Sequence, residues 1–189
     1  MTNIVSMTPK SLIIPIIFLA IIISCIDCFA DNPYCHSVGA SFSPKMCGIS
    51  WEFYSKNESA FHQLFLGSDL YGVIDGRYPP GYRIEYFLNY DFKTWRGRDG
   101  LKINFYAGPG AAAGLVRDVE NGRGFFTGLC GDIGLSFGFR SYFKINVGFS
   151  GSLAYHVARR KGHNYSVNLY KNGILTVFYP VVGIRYVFK

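Results

Sequence analysis

From Leu101 to Phe188 the chain holds three runs in which every second residue is apolar. Leu101, Ile103, Phe105, Ala107 and Leu115 alternate with Lys102, Asn104, Tyr106, Gly108, Gly110 and Gly114. Phe125, Leu129, Ile133, Leu135, Phe137 and Phe139 alternate with Gly128, Asp132, Gly134, Ser136, Gly138 and Arg140. Phe143, Ile145, Val147, Phe149, Leu153, Tyr155 and Val157 alternate with Lys144, Asn146, Gly148, Ser150, Ser152 and His156. A period of two held this long predicts β-strands of about fourteen residues with two unlike faces. Soluble strands usually run about five or six residues. Strands of this length with one nearly all-apolar face predict an all-β fold that crosses a membrane as a barrel.

Alternation does not say which face lines a barrel. A soluble ligand-binding barrel would turn the apolar face inward, and a membrane barrel turns it outward. Glycine decides between them. The chain has 22 glycines in 189 residues, and many sit on the polar parity. A water-facing sheet would carry Thr, Lys and Glu there, whereas a cramped lumen needs small residues. The apolar face also carries Phe125, Phe139, Phe143, Tyr155, Tyr186 and Phe188 near strand ends, as aromatic girdles at a lipid–water interface do.

The apolar run Leu12–Ile23 has the length of a signal-peptide core. Cys28-Phe29-Ala30 places small residues for ordinary cleavage before Asp31, while Ile22-Ile23-Ser24-Cys25 resembles a lipidation site. The expected organisation is a cleaved signal peptide over 1–30 and one barrel domain over 31–189. Net charge is +7. In an exported chain with no basic helix that charge favours anionic lipid head groups over nucleic acid. Cys35, Cys47 and Cys130 remain after cleavage, an odd number. A hairpin turning near Pro44 sets Cys35 opposite Tyr54 rather than Cys47, which disfavours that disulfide. No spacing suggests a zinc site.

Eight strands are predicted: His36–Ser43, Gly48–Lys56, Phe61–Ile74, Gly81–Trp95, Leu101–Arg117, Phe125–Phe139, Phe143–Ala158 and Ile174–Lys189. An even number returns both termini to one end. Three connections at the other end (Asp75–Pro80, Asp118–Gly124 and Arg159–Gly173) are expected to be longer than any at the termini end, the usual asymmetry of bacterial barrels.

By parity the lumen should hold Glu52, Asp69, Arg83, Glu85, Asp91, Lys93, Lys102, Asp132, Lys144 and Arg185, with His156 beside them. That is a balanced set of five acids and five bases, expected to act as an ion-pair network filling a barrel too narrow for free water. The histidines, His36, His62, His156 and His163, form no pattern that activates a nucleophile, so no catalytic residue, cofactor or metal is expected. The basic stretch Arg159-Arg160-Lys161 is the candidate contact for lipopolysaccharide phosphates or for an extracellular protein or glycan.

Four segments carry a family resemblance: Phe105-Tyr106-Ala107-Gly108-Pro109-Gly110, Leu169-Tyr170-Lys171-Asn172-Gly173, Phe178-Tyr179-Pro180, and Gly183 to Phe188. With them the chain resembles small bacterial outer-membrane barrels of the OmpA and OmpX type, particularly uncharacterised Bacteroides barrel proteins. The alternating Ile184, Tyr186 and Phe188 are similar to the C-terminal insertion signal of such barrels, although Lys189 follows where an aromatic usually ends the chain. The resemblance implies an outer-membrane location for the eight-stranded antiparallel up-and-down transmembrane barrel that the strand count predicts. It implies no catalytic residues to carry over, and the chain is expected to be a monomer with a structural or surface-interaction role. The rival classes are a lipid A-modifying or proteolytic barrel enzyme and a soluble or lipid-anchored ligand-binding barrel.

Overall fold

The structure is a computed structural model and describes residues 36–44, 46–54, 59–70, 80–97, 100–118, 122–139, 142–159, 165–170 and 179–188. The leader, Cys35 and Lys189 lie outside them. The strands are β1 (His36–Phe42), β2 (Met46–Tyr54), β3 (Ala60–Asp69), β4 (Gly81–Arg96), β5 (Lys102–Asp118), β6 (Gly122–Phe139), β7 (Phe143–Arg159), β8 (Tyr165–Leu169) and β9 (Tyr179–Phe188). Each pairs antiparallel with its neighbours, and β9 returns to β1 with His36 opposite Phe188. Two of the nine segments share one stave. β9 pairs with β7 over Phe143–Ser150, and β8 pairs with the same edge of β7 over Tyr155–Arg159. The result is a closed eight-stranded antiparallel barrel.

The barrel closes with a stagger. The ladder from Val38 passes through Trp51, Leu64, Tyr86, Ala111 and Leu129 to Leu153 on β7. In the other direction, Val38 reaches Phe143 on the same strand through Tyr186. Eight tilted strands with such a stagger enclose a lumen just wide enough for side chains.

Two boundaries differ from the sequence expectation. The eighth strand was expected from Ile174, with Arg159–Gly173 as the longest loop; instead Tyr165–Leu169 is already strand, and the described part of the final strand begins at Tyr179. The expected loop Asp118–Gly124 is mostly ladder, with Arg117 opposite Arg123 and Asp118 opposite Gly122. Glycines and charges hide a strand from a hydrophobic reading, because the ladder is made by backbone groups. The expected loops Asp75–Pro80 and Arg159–Gly173 lie largely outside the described residues.

Parity behaves as the glycine argument requires: the apolar face looks out. On β6, Phe125, Leu129, Ile133, Leu135 and Phe139 are exposed, while Phe126, Cys130, Asp132 and Ser136 are buried. Gly134 shows why the inner parity is small. A β-carbon there would lie 2.8 Å from the Tyr106 hydroxyl and 2.9 Å from the Gly148 backbone. At the outward Gly131 the nearest atom would be 3.7 Å away. Gly134→Ala is thus expected to cost about 1–3 kcal/mol, as overpacking does, and Gly131→Ala within about 0.5 kcal/mol. Urea unfolding of the refolded variants reads the difference; equal costs would remove the argument that the lumen is cramped.

Candidate functional site: the charged lumen

Glu52, on β2, is fully buried and gathers four partners from three strands. Ser37 Oγ donates to its carboxylate at 3.0 Å, Lys144 Nζ at 2.7 Å and Asn146 Nδ2 at 2.9 Å. Arg185 lies 3.1 Å away as a charge contact, not an aligned hydrogen bond. Lys144 and Arg185 stand directly opposite each other across β7 and β9. Like charges so placed repel, and Glu52 reaches between them from β2. The space comes from Gly39, where a β-carbon would press on the Arg185 backbone and, at 2.7 Å, on its Cγ.

Serines and aromatics complete this cluster. Arg185 Nε donates to Ser50 Oγ at 3.1 Å, and Ser50 pairs with Ser41 at 3.0 Å. Lys144 also donates to the Tyr54 hydroxyl at 2.8 Å, and its ammonium sits 4.9 Å above the Tyr54 ring and 5.0 Å above that of Phe61. A second cluster lies farther from the termini. Arg83 pairs with Glu85, two residues along β4, and its guanidinium stacks 4.7 Å from the centre of the Phe126 ring. Asp69 accepts from the Tyr170 hydroxyl at 3.3 Å. Back toward the termini, beside the first cluster, Asn104 Nδ2 donates to Asp91 at 2.9 Å.

The lumen is not polar throughout. Phe87, Ala112, Val116, Phe126, Cys130, Ala154 and Tyr170 form a buried apolar cluster, and Met46, Phe65 and Tyr179 form a second. His156 is sealed beside the first, its Nε2 3.4 Å from the Val116 carbonyl oxygen. Tyr170 was expected in a loop, and alternation carried no sign that its ring would turn inward.

Of the ten expected lumen charges, Glu52, Asp69, Arg83, Glu85, Asp132, Lys144 and Arg185 are buried, and Asp91 is partly buried. Lys93 and Lys102 are corrections: both are exposed. A register shift between Asp91 and Lys93 flips the parity of β4, which turns Lys93 outward to lie 5.3 Å from the Trp95 ring. Lys102 keeps its inward parity but stands at the first residue of β5, on the barrel's rim. Asp118, absent from the expected set, is fully buried. The balance therefore fails. Among the described residues the buried acids are Glu52, Asp69, Glu85, Asp118 and Asp132, against the bases Arg83, Lys144 and Arg185.

The remaining candidates are dispersed. His62 points outward, bonded at 2.6 Å to the Tyr86 hydroxyl and stacked on Phe53. His36 stacks on Phe188. Cys47 and Cys130 are free thiols. Arg159 ends β7, whereas Arg160, Lys161 and His163 lie outside the described residues. No family model matches the chain, and no curated protein matches it. Among solved structures, the crystal structure of Neisserial surface protein A (NspA) is similar, with a TM-score of 0.36 at 13% identity. The match covers 82% of this chain and 92% of that one.

Proposed function

We propose that this chain is an outer-membrane β-barrel with a side-chain-filled lumen and no catalytic role, serving envelope structure or surface contact. One observation carries the reading: the outer wall is apolar and the inner one charged. Ile49, Ile84, Leu129, Ile133, Val147, Leu153 and Ile184 stand exposed around the barrel. A soluble protein rarely exposes contiguous apolar patches of this extent, whereas lipid demands them. Aromatic residues bound the band. Tyr82, Phe125, Tyr155 and Tyr165 stand exposed toward one end; Tyr90, Trp95, Phe139, Phe143 and Tyr186 do so toward the other. The partners this reading implies are membrane lipid and lipopolysaccharide. Arg117 and Arg123, opposite each other just beyond Leu115 and Phe125, stand at the level where phosphate head groups would be met.

The test is fractionation with gel migration. In a bacterial host the full chain is expected in the outer-membrane fraction, and its unheated band should migrate faster in SDS gels than the boiled one. Recovery among soluble periplasmic proteins, with no heat-dependent shift, would overturn the reading.

A further inference from the structure

The rim away from the termini carries like charges face to face. Arg117 on β5 and Arg123 on β6 share one rung of the ladder, next to the Asp118–Gly122 rung that closes the hairpin. Gly122 has a φ of 76°, the left-handed conformation that ends a short hairpin loop, so the strands keep their register up to the turn. Both arginines lie on the outward parity, two residues beyond the exposed Leu115 and Phe125. Arg123 is exposed; Arg117 is half-buried and has contacts of its own.

Like charges directly opposite each other weaken a sheet, and the ordinary remedy is an acid on the same face. Among the described residues none stands there. The outward neighbours are Leu115, Phe125, Val157, Tyr165 and Val167, and Asp118 is fully buried on the other parity. The register adds a third cationic position. The β6–β7 ladder reaches Gly124 opposite Ala158, so the next residues on the two strands are Arg123 and Arg159, and Arg159 pairs with Tyr165 on β8. Facing β-carbons in a sheet lie about 5 Å apart. Two guanidinium groups on such stems can close on one tetrahedral anion, each giving two parallel N–H donors. Charge then selects among phosphates. A phosphomonoester carries about −1.5 to −2 near neutral pH, which matches two arginines, whereas a phosphodiester carries a single charge.

We propose that Arg117 and Arg123 clamp the phosphomonoester head of a membrane lipid whose acyl chains lie against Leu115, Phe125 and Val157. The clamp rests on the outer-membrane reading and names the head-group chemistry that the rim selects.

The full chain, refolded in detergent micelles, is offered phosphatidic acid, a phosphomonoester lipid, and phosphatidylglycerol, a phosphodiester with the same chains. Native mass spectrometry reads which lipid stays bound. The unaltered protein should retain phosphatidic acid about tenfold more, the worth of one charged hydrogen-bonded pair. Arg117→Gln with Arg123→Gln should erase the preference. Arg123→Lys, which keeps the charge but loses the fork, should keep only part of it. Lys93→Gln with Lys102→Gln, at the other end of the barrel, should leave it unchanged. If the double arginine variant does not refold, Arg123→Gln alone should lower the preference several-fold. Equal retention of both lipids by the unaltered chain overturns the proposal, since water or Glu120 of the turn then meets the pair's charge. A preference that survives in the glutamine variants overturns it as well. So does displacement of the lipid by millimolar inorganic phosphate, which marks a site for the free anion. None of these failures touches the outer-membrane reading, which fractionation and heat-dependent migration decide.

Discussion

Glu52→Ala is expected to be the most damaging single change in the lumen, lowering folding stability by about 3–5 kcal/mol, the usual cost of stranding a buried charge. Two cations lose their counter-charge at once. Lys144 and Arg185 are adjacent on the ladder, and both are buried. Asn146 and Ser37 lose the acceptor they share. Glu52→Gln keeps the shape and a hydrogen-bond acceptor but removes the charge, and should fall between the two. Replacing Glu52, Lys144 and Arg185 together by apolar residues of similar volume should restore much of the loss, since whole buried ion clusters often exchange for apolar packing at little cost. Urea titration of the refolded proteins measures all three. A Glu52→Ala cost under about 1 kcal/mol would show that water, not Glu52, neutralises these cations.

The wall was far more legible in the sequence than its contents. Alternation at Phe125, Leu129, Ile133 and Leu135 reports the outward face directly, because lipid or water acts on each residue alone. Gly134 and Gly148 report the narrow inner face for the same reason. The errors arise where a position's fate depends on a neighbouring strand. Lys93 was assigned inward because one register shift, at Asp91, is invisible in a single strand. Arg123 and Gly122 read as loop because their pairing with Arg117 and Asp118 uses the backbone alone. Tyr165–Leu169 reads as loop because its pairing with Tyr155–Arg159 is invisible in a single strand. The candidate site inherits these errors. With Lys93 and Lys102 assigned to the lumen its charges balance; with both outside and Asp118 inside, an acid excess appears.

Ile133→Arg tests the outward face at its centre. Ile133 lies between Phe125 and Phe139 on β6, is exposed, and neighbours Ala107 and Phe149 on the ladder. In lipid an arginine at mid-depth costs about 2–4 kcal/mol, falling to about 0–1 kcal/mol near the interfaces. Thr127, two residues from Phe125 and on the same outward parity, is the shallow comparison. Folding into phosphocholine vesicles, followed by urea titration, should therefore rank Ile133→Arg well below Thr127→Arg. An outward face that meets water predicts something else: both changes within about 0.5 kcal/mol of the unaltered protein, as for ordinary surface substitutions. The depth gradient separates these outcomes better than either value alone. A change that merely disturbs β6 would act at both positions, whereas only a slab of hydrocarbon makes the cost depend on distance from the aromatic rim. Equal costs at Ile133 and Thr127 would remove the membrane reading while leaving the barrel and its ion cluster in place.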